Sequence, residues 1–409
     1  MANYFGKIIL MKIAFLTAGG IAPCLSASIG ALIEYYNKAE PEAGLIGYLN
    51  GYRGLLLGKK IDFPASVKEN VHILFRFGGS PIGNSRVKLA NIEDCIKHGY
   101  IQEGEDPLEV AAKQLVQDKV DILHTIGGDD TNTAAADLVE FFANSGHNLT
   151  VVGLPKTVDN DIFPISQTLG AWTAAEQGAI FFENIANENT TSTRQLIIHE
   201  VMGRHCGWLT AATAEAYRNH LDTKEFLPEL LINKERWDID AIYIPELTID
   251  FEREVERLKK RMDEKDGVNI FLSEGAGIDT IVHEIEARGE AVPRDAFGHV
   301  RLDETNPGQW FAKQFAKRLG AEKTLVQKSG YFARSATPND KDLDLIKRSA
   351  FLAAEYALEG KSGVVGMDED KDGKLTLIDL SRIKGGKPFD IHVPWFTDLL
   401  NHIRQPVAS

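Results

Sequence analysis

Short apolar runs alternate with stretches of helical periodicity along most of the chain. Lys12 to Thr17 reads as a buried strand closing on Ala18-Gly19-Gly20. From Ala22 to Asn37 the apolar residues Leu25, Ile29, Leu32, Ile33 and Tyr36 recur at helical spacing. Residues 107–118 read as a helix, Val120 to Ile126 as a strand ending at Gly127-Gly128, and Thr131 to Asn144 as a helix. A strand from Thr150 to Leu154 follows, and a helix from Thr168 to Asn187 carries the chain into a second lobe. There the pattern begins again, with strands predicted at Gln195–Val201, Ala241–Ile244, Val268–Leu272 and Thr324–Gln327. Helices are predicted from Trp208 to about Tyr217, over Phe251–Glu264 and over Lys341–Leu358. Gly363–Met367 and Lys374–Leu380 read as a hairpin, and Ile391–Arg404 as a short mixed tail. Strands alternating with helices imply right-handed crossovers and mostly parallel sheets, so the expected fold class is α/β with two domains.

The polar residues at the strand ends carry the chemistry, because ligands of open α/β sheets bind at the carboxyl ends of strands. Two consecutive ends, IGGDDTNT (Ile126–Thr133) and LPKTVDND (Leu154–Asp161), bring Asp129, Asp130, Lys156, Thr157, Asp159 and Asp161. Carboxylates beside glycines suit Mg²⁺ held against phosphate oxygens, since Mg²⁺ takes few protein carboxylates and keeps sites for water and phosphate. Strand, Gly19-Gly20, helix is the arrangement that points backbone N–H groups at an anion. FRFGGSPIGNSR (Phe75–Arg86), with its glycines, serines and terminal arginine, suits a loop wrapping a phosphate. In the second lobe MGRHCGW (Met202–Trp208), Pro245-Glu246, SEGAG (Ser273–Gly277) and KSGYFARS (Lys328–Ser335) end the strands.

Composition narrows the partners. With 409 residues, 44% apolar and 25% charged, the chain is long enough for two sizeable cores. A net charge of −14 argues against non-specific nucleic-acid binding, though a local cationic cluster would still serve phosphate. No apolar run approaches the roughly 18 residues of a membrane span. Cys24, Cys95 and Cys206 show no paired spacing, and the N-terminus has no charged n-region or cleavage site. Both point to a cytoplasmic protein, with residues 1–10 an extension ahead of the first strand.

One motif reads as a decoy. Asp368, Asp370, Asp372 and Gly373, with Asp379 in the twelfth place, nearly reproduce a calcium-binding EF-hand loop. The flanks GVVGM and KLTLIDL read as β rather than as two helices, which favours a hairpin turn.

With GGDD, PKTVDND and MGRHCGW in that order, the chain from about Lys12 to about Trp395 resembles the 6-phosphofructokinase family, and within it the pyrophosphate-dependent branch. The resemblance implies two Rossmann-like three-layer domains, with the active site in the cleft between them. The donor domain would comprise 1–170 plus 338–395, and the sugar-phosphate domain 171–337 plus 396–409. It also implies Mg²⁺ as cofactor, and a homodimer or homotetramer in which a neighbouring subunit completes part of the sugar-phosphate site. The implied reaction is reversible phosphoryl transfer from pyrophosphate to the 1-hydroxyl of fructose 6-phosphate. ATP as donor, sedoheptulose 7-phosphate as acceptor, or a non-catalytic regulatory subunit are the alternatives. Retained Asp129 and Asp159 argue against the last.

Residue roles follow from the same resemblance. Gly20 and Arg86 would hold donor phosphate oxygens, and Asp129 the metal. Asp159 would take the proton from the attacking hydroxyl, with Asp161 and Thr157 orienting the reacting groups. Met202, Gly203 and Arg204 would line the sugar phosphate and transferring group, and Glu274 would accept from sugar hydroxyls. Lys328, Tyr331 and Arg334 would hold the 6-phosphate. ATP-using members generally carry glycine where this chain has Asp130 and Lys156. A carboxylate at 130 would occupy and repel the place of a nucleotide α-phosphate, and Lys156 would supply positive charge to pyrophosphate. Two departures stand out: Ile21 follows Gly19-Gly20 where many ATP-using relatives carry Asp, and Arg194 lies one residue upstream of the family's subunit-crossing arginine.

Overall fold

The computed structural model describes residues 10–294 and 300–406, so the N-terminal extension expected over residues 1–10 lies outside them except for Leu10. Among the described residues eleven strands follow in chain order: β1 Lys12–Thr17, β2 Gly44–Tyr48, β3 Lys60–Asp62, β4 Ile122–Gly127, β5 Thr150–Pro155, β6 Gln195–Val201, β7 Ala241–Tyr243, β8 Gly267–Ser273, β9 Lys323–Lys328, β10 Gly363–Asp368 and β11 Lys374–Ile378. They form two sheets, of order β11-β10-β5-β4-β1-β2-β3 and β7-β8-β6-β9. Only β3 and β11 run antiparallel to their neighbours. The mixed α/β fold with mostly parallel sheets is therefore as expected.

Each sheet belongs to one compact unit. The first unit holds Met1–Val158, Ile162–Ala171 and Ser335–Gly385; the second holds Asp159–Asp161, Trp172–Arg334 and Gly386–Ser409. Residues 386–395, expected with the first domain, thus fall in the second unit. The Phe389 N–H donates to Glu246 at 2.8 Å, and its ring packs on Trp395 and Phe396. Residues 335–337 go the other way. The Thr337 hydroxyl donates to the Arg76 carbonyl, and a Cβ on Gly78 would fall 1.9 Å from the Ser335 carbonyl oxygen.

In the first sheet the parallel strands are buried on both faces, which is why they read as continuous apolar runs. Every residue of β4 is buried, and Ile13 to Leu16 of β1 are fully so. The helices Leu25–Ala39 and Asp340–Leu358 pack against each other. Asn339 caps the second of these by accepting the Asp342 N–H at 2.9 Å. Strand order reverses at β1, with β2 on one side and β4 on the other. That switch point lies at the loops carrying Gly19-Gly20 and Gly127–Asp130.

In the second sheet β6 is central, flanked by β8 and β9. The chain moves outward to β7, returns to β8, then crosses to β9, so a second switch point lies at β6. Arg194, with φ +47°, has its guanidinium committed to this framework. It donates to the carbonyls of Gly320 and Leu319 at 2.7 and 2.6 Å and to Asp263 at 2.8 Å. It thereby binds the last carbonyls of the helix Pro307–Leu319.

His199 on β6 is fully buried, packed by the rings of Phe181, Phe182 and Phe271. Among the described residues neither of its ring nitrogens has a hydrogen-bond partner. Burial pushes its pKa down from 6.5 to about 3. The folded chain keeps it neutral while the unfolded chain protonates it below pH 6.5, so this contribution to stability is present above pH 6.5 and is lost as pH falls toward 3. In urea melts, His199→Phe is expected to gain on the parent by about 1.4 kcal/mol for each pH unit between pH 6 and 4. Equal acid dependence in the two proteins would assign the sensitivity elsewhere.

Candidate active site

In the first unit the glycine turn after β1 is built around a lysine. Gly19 has φ +85°, a backbone that favours glycine. Its N–H donates to the Ser85 carbonyl at 2.8 Å, and the Asn84 side chain donates back to the Gly19 carbonyl. The loop Asn84–Arg86 is thereby fixed beside Gly19-Gly20. Lys156 comes from the end of β5 and is 4% exposed. Its ammonium donates to the Gly20 carbonyl at 2.7 Å and lies 3.0 Å from where a Cβ on Gly19 would be. Gly20 and Lys156 are thus brought together, and Arg86 stands exposed on the adjoining loop.

Asp129 and Asp130 open the helix Asp129–Ser145, where the N-terminal dipole favours negative charge. Asp130 is ion-paired with Lys88 at 2.8 Å. The Asp129 carboxylate lies against a backbone: a Cβ on Gly385 would fall 1.9 Å from its Oδ2. Gly385 belongs to Lys384-Gly-Gly-Lys387, whose Lys384 exchanges two backbone hydrogen bonds with Phe163, at 2.8 and 3.0 Å. The Thr157 carbonyl accepts from the Thr168 hydroxyl at 2.8 Å.

In the second unit the strand-end loops interlock through glycines. Gly203 has φ +127°, and its carbonyl accepts from the Ser273 hydroxyl. A Cβ on Gly275 would fall 1.9 Å from the Arg204 carbonyl oxygen, so the SEGAG loop lies directly against the MGRHCGW turn. The Glu274 N–H donates to the Val201 carbonyl at 2.9 Å. Its carboxyl pKa is raised, by burial first and by Glu200 next, against the lowering influence of Arg204, a Gly203 backbone hydrogen bond and Lys328. Lys328 pairs with Glu200 at 2.7 Å, and the Arg334 guanidinium approaches the Met202 sulfur at 3.9 Å. Met202, Gly203, Arg204, Glu274, Lys328 and Arg334 therefore lie in one connected network. Tyr331 stands apart, 88% exposed beside the half-exposed Phe332.

The loop after β5 is shared: Lys156 and Thr157 count with the first unit, Asp159 and Asp161 with the second. The Asp161 carbonyl accepts the Lys387 N–H at 3.0 Å.

A phosphofructokinase profile matches residues 12–357. The chain belongs to the phosphofructokinase family. Within that family it is 59% identical over 395 residues to the pyrophosphate–fructose 6-phosphate 1-phosphotransferase of Methylomonas methanica, covering 97% of each chain. It is 56% identical over 397 residues to the enzyme of that name from Mastigamoeba balamuthi, again covering 97% of each. The fold matches the crystal structure of a pyrophosphate-dependent phosphofructokinase from Nitrosospira multiformis, with TM-score 0.69 and 18% identity over 98% of this chain and 92% of that one.

Three residues escaped the sequence reading of the site, Lys88, Glu200 and Gly385, while Glu246 was read as a polar strand end without a role of its own. Lys88 lies two residues past Arg86 in the glycine-rich loop, a signal that could have found it. Glu200 is itself buried, one residue before the end of β6, and its partners Lys328 and the Gly308 N–H are distant in sequence. The EF-hand-like stretch is a hairpin between β10 and β11. Asp368 is buried, with both oxygens bonded to the Arg382 guanidinium at 2.8 Å. Among the described residues no group of three or more His, Cys, Asp or Glu side chains could hold a metal.

Proposed function

We propose that the protein transfers a phosphoryl group from pyrophosphate to the 1-hydroxyl of fructose 6-phosphate, reversibly and with Mg²⁺. The observation that carries this reading is Lys156, a buried ammonium placed in the glycine turn where a phosphate donor would lie. The activity named for relatives sharing over half their residues along nearly the whole chain supports it. The first unit is the donor domain. Gly20 and Arg86 hold donor oxygens, Lys156 offsets their charge, and Asp130 disfavours a nucleotide.

Asp129 suits Mg²⁺: one exposed carboxylate ligand at a helix start would leave the other coordination sites to water and phosphate, as that ion prefers. When bound, the ion supplies charge neutralisation on the donor oxygens. The second unit is the sugar-phosphate domain. Met202, Gly203 and Arg204 line the sugar phosphate and transferring group, Glu274 accepts from sugar hydroxyls, and Lys328, Tyr331 and Arg334 hold the 6-phosphate. Asp159 takes the hydroxyl proton while the new O–P bond forms. The bridging P–O bond of pyrophosphate breaks, and its electron pair leaves with orthophosphate. Asp161 and Thr157 orient the reacting groups. Phosphoryl transfer depends chiefly on such positioning and charge compensation.

The protein works as a cytoplasmic homodimer or homotetramer. Buried free cysteines fit a reducing compartment, and among the described residues no helix is long and apolar enough to cross a membrane. Purified protein given fructose 6-phosphate and Mg²⁺ is expected to turn over with pyrophosphate and not with ATP. ATP-only turnover would reject the donor assignment, and no turnover with either would favour a regulatory subunit. A higher kcat/KM with sedoheptulose 7-phosphate would reassign the acceptor.

A further inference from the structure

Glu246 follows β7, an edge strand of the second sheet, yet its carboxylate is spent on backbone amides of two other segments. The Gly207 N–H donates to its two oxygens at 2.9 and 3.1 Å, and the Phe389 N–H donates to one of them at 2.8 Å. Charge-assisted bonds of this kind are stronger than neutral ones. Gly207 closes the MGRHCGW turn and begins the helix Trp208–Asp222, where a carboxylate also complements the helix dipole. A Cβ at Gly207 would fall 2.4 Å from the Ile244 Cβ and 2.6 Å from Glu246 Oε2, so the turn is pressed onto this carboxylate. Phe389 ends the strap Gly386–Phe389, and the strap's Lys387 N–H donates to the Asp161 carbonyl at 3.0 Å. Buried Cys206 lies among the same groups. Its thiol is pushed up to about 12, chiefly by burial, with Glu246, Asp161 and Asp159 adding to the rise.

We propose that Glu246 is a positioning residue that clamps the Met202–Trp208 turn to the Gly386–Phe389 strap, and through Lys387 to the Asp159–Asp161 loop. One carboxylate then sets Arg204, which faces the sugar phosphate, in register with Asp159, which takes its proton. The inference rests on the function proposed above.

Glu246→Ala removes the acceptor of both N–H groups, whereas Glu246→Gln keeps one acceptor oxygen and loses the charge. In Glu246→Ala, kcat is expected to fall roughly 10- to 100-fold, the cost of a small misplacement. KM for fructose 6-phosphate rises several-fold, KM for pyrophosphate stays within about twofold, and Glu246→Gln falls midway between Glu246→Ala and the parent. Hydrogen exchange at the Gly207 and Phe389 amides is expected to speed up in step. Unchanged kinetics in Glu246→Ala would overturn the clamp, as would lower thermal stability with both KM values and kcat intact. If Glu246→Ala fails to fold, Glu246→Gln carries the test, with intermediate exchange and sugar KM expected and parental values overturning the clamp. If the parent turns over with neither donor, the proposed function fails by itself. The clamp is then judged from amide exchange and calorimetric binding of fructose 6-phosphate, and parental values of both in Glu246→Ala would reject it.

Discussion

Asp159→Ala is expected to lower kcat by roughly 10²–10⁴-fold while KM for fructose 6-phosphate changes little. A sugar hydroxyl is a weak nucleophile at neutral pH. Its attack on phosphorus leaves a proton that a carboxylate within hydrogen-bond reach can accept as the O–P bond forms. That interaction exists only in the transition state, so its loss appears in kcat rather than in ground-state binding. The residue stands on the Asp159–Asp161 loop, which the Lys387 N–H ties down through the Asp161 carbonyl. Truncation at 159 therefore leaves the backbone anchor in place. Asp159→Asn keeps the shape and should be nearly as slow, because an amide accepts no proton at this pH. Turnover measured in both directions checks the role, since the group that takes the proton forward must return it in reverse. A raised KM with kcat intact would reassign Asp159 to sugar binding.

Whether a feature is encoded locally or by distant partners decides how much of the molecule is legible in the sequence. Parallel strands buried on both faces are continuous apolar runs, so β1, β4, β5, β6 and β8 are legible from composition alone. The strand β2, GLIGY, carries two glycines, and β3 is a short edge strand of three residues, mostly exposed. Neither has the apolar run or alternation that marks a strand. The strand-end motifs were legible because each is contiguous. Glu200 and Gly385 were not, because each takes its meaning from a partner far along the chain, and the strand end Glu246 showed no sign of its bonds to Gly207 and Phe389. An ordinary glycine beside lysines reads as a turn until Asp129 is seen lying against it. Residues 386–395 fall in the second unit for the same reason: nothing local to Phe389 hints that it bonds Glu246.

Asp130→Gly combined with Lys156→Gly is expected to lower kcat/KM for pyrophosphate by roughly 10²-fold or more, and to admit measurable ATP turnover. The two changes act differently. Like charges about 4 Å apart near a protein surface repel by about 4 kcal/mol, but screening by solvent and salt lowers that figure for exposed groups. Asp130 is 58% exposed and already paired with Lys88, so its electrostatic penalty on a nucleotide is well below that limit. On the proposed reading its carboxylate would act mainly by occupying space. Lys156 is nearly buried, and its ammonium is held by the Gly20 carbonyl at the turn itself, so its charge acts with little screening. Most of the pyrophosphate loss should therefore follow Lys156, and most of the ATP gain should follow Asp130. Lys156→Met, which removes charge with little change of volume, separates that loss from collapse of the turn. If Lys156→Met keeps parental pyrophosphate kinetics, the ammonium is structural. If the double variant binds no ATP, occlusion at these two positions is not sufficient, and Ile21, which replaces the Asp common in ATP-using relatives, becomes the next position to exchange.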